Sequence, residues 1–103
     1  MSFGELLAGK SVMRANSTDD GLGLWLDGEC SLMIYNPCSI LPASLKCTSL
    51  IGRTIESASS ALGEFRLNLG GGVTLVVDLR DEAYTGPEPM VLRIPGQPIV
   101  VWN

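Results

Sequence analysis

Leu22, Leu24 and Leu26 alternate with Gly23, Trp25 and Asp27, and Phe65, Leu67 and Leu69 alternate in the same way. A period of two is the signature of a strand that buries one face. Each run is followed by a glycine-bearing gap, Asp27-Gly28-Glu29 or Gly70-Gly71-Gly72, and then by a second alternating run. Parity decides the hairpin register. A two-residue loop would pair Leu26 with Glu29 and set the leucine face beside polar positions. A three-residue loop or a bulge pairs Leu26 with Cys30, Leu24 with Leu32 and Leu22 with Ile34, so both strands bury a common face. Partly β-branched segments precede these hairpins, at Lys10–Ser17 and about residues 53–59. The first closes on Ser17-Thr18-Asp19-Asp20-Gly21, a turn by composition.

The two patterns are copies of one another. Residues 6–37 laid over 49–80 at an offset of 43 give eight identities in 32 positions: Leu7/Leu50, Gly9/Gly52, Ala15/Ala58, Ser17/Ser60, Leu24/Leu67, Leu26/Leu69, Gly28/Gly71 and Leu32/Leu75. Chance in a Leu- and Gly-rich chain gives roughly two or three. Each copy predicts a three-stranded meander. Ahead of the first, Ser2-Phe3-Gly4-Glu5 has the spacing of a capping box, with Gly9 placed to stop the turn that follows.

Residues 38–48 break the pattern and read as a linker, in which Pro37 and Pro42 oppose a continuous strand and Pro42 could open a short helix. Residues 81–103 have no counterpart in the first copy. They read as a loop followed by a hairpin, Met90–Ile94 and Ile99–Trp102, about Pro95-Gly96-Gln97-Pro98. The expected fold is mainly β: one domain over 1–103, a small sandwich or partly closed barrel of two pseudo-symmetric meanders plus a C-terminal hairpin.

Composition narrows the function. At 103 residues and 46% apolar content the chain can bury one core, and no apolar run approaches the roughly 20 residues of a membrane span. The N-terminal segment lacks the basic start of a secretory signal, so the expected location is cytoplasmic. Eleven acids against seven scattered bases give a net charge of −4. That disfavours nucleic acid, which needs clustered cations, and favours a basic protein as partner. Cys30, Cys38 and Cys47 are odd in number and eight and nine residues apart, with no histidine in the chain. Free thiols are expected, with neither a disulfide framework nor a metal site. Cys30 falls opposite Val73 in the repeat and reads as a small core residue.

Little in the chain points to catalysis. Without histidine the usual base near neutral pH is missing, and no nucleophile elbow, Ser-x-x-Lys motif or phosphate loop occurs. The expectation is a non-enzyme without a cofactor. Candidate contact residues are the acids Asp19, Asp20, Asp81, Glu82 and Glu88, with Tyr84 in the loop before Glu88 and Trp25, which alternates out of the leucine face. Each has a structural reading beside the functional one: solvated loop acids, a ring packed on the sheet, a tryptophan covered by the chain itself. Ile99-Val100-Val101 on an open edge could pair with a second copy as a homodimer.

The elements Leu-x-Gly-Lys/Arg-x-Val/Ile, Leu-x-Leu-x-x-Gly-x-x-x-Leu, Tyr84-x-Gly86-Pro87-Glu88 and Val100-Val101-Trp102 together resemble those of a group of small uncharacterised bacterial β-rich proteins. Bacterial proteins of this size and acidity are often immunity proteins that neutralise a toxin. By that analogy the chain is expected to be a protein-binding domain, an immunity-type inhibitor. The alternative is a small-molecule binder with a pocket between the two meanders, lined by Trp25, Tyr35 and Tyr84.

Overall fold

The computed structural model describes residues 3–19, 21–84, 86 and 88–101. After a one-turn helix α1 (Phe3–Leu7) come β1 (Val12–Thr18), β2 (Gly21–Leu26), β3 (Ser31–Ile34), β4 (Cys38–Leu41), β5 (Ile55–Ala61), β6 (Glu64–Leu69), β7 (Val73–Asp78), β8 (Met90–Arg93) and β9 (Val100–Val101). They form two antiparallel sheets, ordered β1-β2-β3-β8-β9 and β4-β7-β6-β5. The sheets pack as a small sandwich and do not close into a barrel.

The hairpins take the register that parity requires. Leu22 pairs with Ile34 and Leu24 with Leu32, while the Leu26 N–H donates to the Cys30 carbonyl at 2.8 Å. Positive φ falls on Gly28 and Glu29 in the first loop and on Gly71 and Gly72 in the second. Both meanders also carry a register shift at the same point, between Val12 and Arg14 and between Ile55 and Ser57. Eight apolar pairs related by the repeat make most of the core: Leu7/Leu50, Val12/Ile55, Leu22/Phe65, Leu24/Leu67, Leu26/Leu69, Cys30/Val73, Leu32/Leu75 and Ile34/Val77. All sixteen residues are at most 4% exposed, each large one contributing roughly 1.5–3 kcal/mol by burial.

A pseudo-twofold axis passes between Ser11 and Thr54, which form an isolated antiparallel bridge with their hydroxyls 3.1 Å apart. Around it the backbone bonds come in matched pairs. Gly9 N–H donates to Ile55 O and Gly52 N–H to Val12 O, each at 2.8 Å. Val12 N–H donates to Arg53 O and Ile55 N–H to Lys10 O, at 2.9 and 2.7 Å.

Two segments differ from expectation. Residues 38–48, read as a linker that opens a short helix at Pro42, instead contain β4, and the 3₁₀ turn that follows lies at Cys47–Leu50. Pro37 and Pro42 bracket this strand without interrupting it. Pro37 offers only its carbonyl, which accepts from the Asp78 N–H at 2.9 Å, and β4 is an edge strand, where a missing donor is tolerated. The C-terminal hairpin does extend a sheet, but its first strand also has a counterpart in the first copy. β4 leaves the first meander to pair with β7 of the second, and β8 leaves the second to pair with β3 of the first. The registers Cys38↔Val77 and Met90↔Ile34 are related by the same axis. The symmetry therefore covers four strands per half, the fourth of each exchanged onto the other sheet. The sequence offset hides this because a longer connection, carrying a 3₁₀ turn at Asp81–Ala83, precedes β8.

Candidate functional site: an acidic end and its groove

Strand exchange brings four connections to one end of the sandwich. The β1–β2 turn lies beside the end of β3, since a Cβ on Gly21 would strike the Ile34 carbonyl. Tyr35 N–H donates to Pro89 O at 2.8 Å, and Leu79 N–H to Gly63 O at 2.8 Å. Asn36 Nδ2 donates to Asp78 O at 2.7 Å. These bonds tie both sheet-crossing connections and the β5–β6 turn together.

The acids follow. Asp19 in the β1–β2 turn, Glu64 at the start of β6, Asp78 at the end of β7, and Asp81, Glu82 and Glu88 in the β7–β8 connection all lie at this end. Among the described residues, two guanidinium groups face these six carboxylates. Arg66 pairs with Glu64 at 3.0 Å. Arg80 Nη2 donates to Asp78 Oδ2 at 2.7 Å, and Arg80 Nη1 lies 3.6 Å from Glu82 Oε1. Hydrogen bonds from the Arg80 side chain, then from its backbone N–H, hold the Asp78 carboxyl down to about 2. Lys10, Arg53 and Arg93 sit at strand ends on the opposite side, where Asp27 and Glu29 of the β2–β3 loop and Glu56 of β5 offset them, so the carboxylate excess lies at the end described here.

Of the residues singled out in the sequence, Asp19, Asp81, Glu82 and Glu88 are exposed at this end and Tyr84 is half-buried beside them. Asp20 lies outside the described residues, as do Trp102 and the Ser2 of the capping box. Trp25 is elsewhere. It stands on the outer face of the first sheet near the far end of β2, with the Arg14 guanidinium 4.4 Å from its ring centre. Arg14 and Ser31 are its cross-strand neighbours. Its repeat counterpart Asn68 holds the matching position on the other sheet. There Asn68 Nδ2 donates to Ser57 Oγ at 2.9 Å and its Oδ1 accepts from Thr74 Oγ1 at 3.3 Å. Between the meanders Leu24, Leu32, Phe65, Leu67 and Leu75 are all buried, and Tyr35 borders a surface depression beside the β1–β2 turn.

The concave surface lies around β4. One depression, of about 400 Å³, is bordered by Cys38, Ser39, Leu62, Glu64, Asp78 and Arg80. Two more, of about 290 and 260 Å³, share Ser17, Leu22 and Cys38 and so form one groove between β4 and the β1–β2 hairpin. Asn36, which the sequence reading passed over, is 1% exposed and floors the smaller one. Its Oδ1 has no hydrogen-bond partner among the described residues. A polar residue in the place that Leu79 takes in the second copy was the signal available in the sequence.

All three cysteines are free, Cys30 buried and the others half-buried. Burial, with Cys47 adding to it, raises the Cys38 thiol above its ordinary value, which weakens it as a nucleophile at neutral pH. Among the described residues no group of three or more metal-ligating side chains occurs, and no helix is long and apolar enough to cross a membrane. No family model matches the chain, and neither curated proteins nor solved structures give a significant match.

Proposed function

We propose that the chain is a non-enzymatic protein-binding domain whose acidic end meets a basic partner, acting as an immunity-type inhibitor in the bacterial cytoplasm. The supporting observation is the gathering of six carboxylates, from connections and strand ends spread between residues 19 and 88, onto one end of the sandwich. A negative surface of this kind steers a cationic partner and suppresses acidic competitors. The open edge at β9, the last strand of its sheet, offers a route to a homodimer in the same reading.

The test is capture of partners by the tagged full chain from its native lysate at low and high salt. A variant carrying Asp19→Asn, Asp81→Asn, Glu82→Gln and Glu88→Gln serves as the control. These side chains are exposed, so the variant should melt close to the parent. The expected result is one basic protein, lost as salt rises and absent with the variant. Capture that ignores both salt and the four substitutions overturns the reading.

A further inference from the structure

We infer that the groove beside β4 receives an extended segment of the partner as an added strand, with a lysine or arginine in its polar half and an aliphatic side chain two residues away in its apolar half. This rests on the acidic-end reading above and names what that end recognises.

Backbone, polar and apolar features converge on this groove. Because Asp78 N–H donates to Pro37 O and Cys38 stands opposite Val77, the ladder alternates so that the Cys38 and Ile40 amides and carbonyls point away from β7, along the free edge. Such an edge binds an extended chain through its main chain, while flanking pockets select alternate side chains. At the polar half, Asn36 Oδ1 is a buried acceptor without a donor, and the exposed Asp19 carboxylate lies on the rim of the same depression. A buried acceptor left without a donor costs roughly 1–3 kcal/mol, and a cationic N–H group meets it while its charge faces Asp19. An acidic group matches neither feature, and a neutral donor leaves the Asp19 charge without a counter-charge. In the adjoining half, Leu22, Ile40, Ala43 and Leu45 supply an apolar lining. Side chains two apart on one strand project to the same side roughly 7 Å from each other, which suits two depressions sharing a wall of Ser17, Leu22 and Cys38.

The inference is tested on the unmodified full chain by ¹⁵N NMR titration with the blocked peptide Thr-Arg-Thr-Leu-Thr. Its controls carry citrulline for arginine, serine for leucine, or N-methyl groups on alternate residues in either phase. Expected are shifts at the Cys38 and Ile40 amides and the Asn36 side-chain amide. The citrulline peptide should bind roughly tenfold more weakly, and one of the two N-methylated peptides should lose binding. Asp19→Asn in the exposed turn should weaken the arginine peptide about threefold. Shifts confined to residues 81–88 would overturn the groove as the site while leaving the acidic end as a contact surface. Equal binding of the arginine and citrulline peptides, or no shift at any amide, would also overturn it. Salt-dependent capture of a basic protein is read independently of all three results.

Discussion

Leu62 occupies the first position of the two-residue β5–β6 loop with φ 41°, followed by Gly63 at φ 83°, and its side chain is wholly exposed. Positive φ at both central positions is the conformation in which asparagine is preferred and leucine is strained. Leu62→Asn should therefore stabilise the fold by about 0.5–1 kcal/mol, read as a rise in the urea midpoint with unchanged slope. Asp78 makes a pH prediction at the same scale. Its folded carboxyl is held at about 2, below its ordinary 3.8, so the Arg80 interaction stabilises the fold above about pH 4 and is lost as pH falls towards 2. In Arg80→Met the fall in melting temperature between those limits should be shallower than in the parent. Cys30 was legible as a core residue because its repeat partner is Val73, and both are 3% exposed. Asn36 was not legible as a groove residue. Its donor bond reaches Asp78, 42 positions away, and nothing local in the sequence announces that crossing.

Among the elements, the meanders were readable and β4 was not. Alternation and loop parity determine the register of β2 with β3 and of β6 with β7, since a slip of one residue would turn a leucine face to water. β4 has only four residues between two prolines, too short for a periodic signal, and its partner β7 begins 32 positions after β4 ends. The β1–β2 hairpin depends on close approach at Gly21, which has φ 144° and faces the Ile34 carbonyl where a Cβ would stand. Gly21→Ala should cost about 2–3 kcal/mol, from the backbone clash and the unfavourable φ together. Gly86→Ala, which meets open space, should cost well under 1 kcal/mol. Chemical denaturation of both variants separates a conformational requirement from a general intolerance of alanine.

At the scale of the molecule, strand exchange carries the β7–β8 connection, with Asp81, Glu82 and Glu88, past the end that already holds Asp19, Glu64 and Asp78. The charges are plain in the sequence, but their convergence is a property of topology. Exchange also makes each half incomplete, since β3 needs β8 and β7 needs β4 along their edges. Fragments 1–43 and 44–103, cut in the exposed stretch at Ala43 and Ser44, should each lack native β signal by circular dichroism and recover it on mixing. Fragments that fold separately would contradict this account. The twofold bridge at Ser11 and Thr54 gives the arrangement another meaning: within one chain the two halves pair as the protomers of a strand-swapped dimer would. Separate protomers would fold only as fast and as completely as their concentration allowed, whereas a covalent tether holds the second half at an effective concentration in the millimolar range. Pairing of the two halves is thereby freed from mass action, and dilution that would dissolve its two-chain equivalent should leave the native β signal of the chain in place.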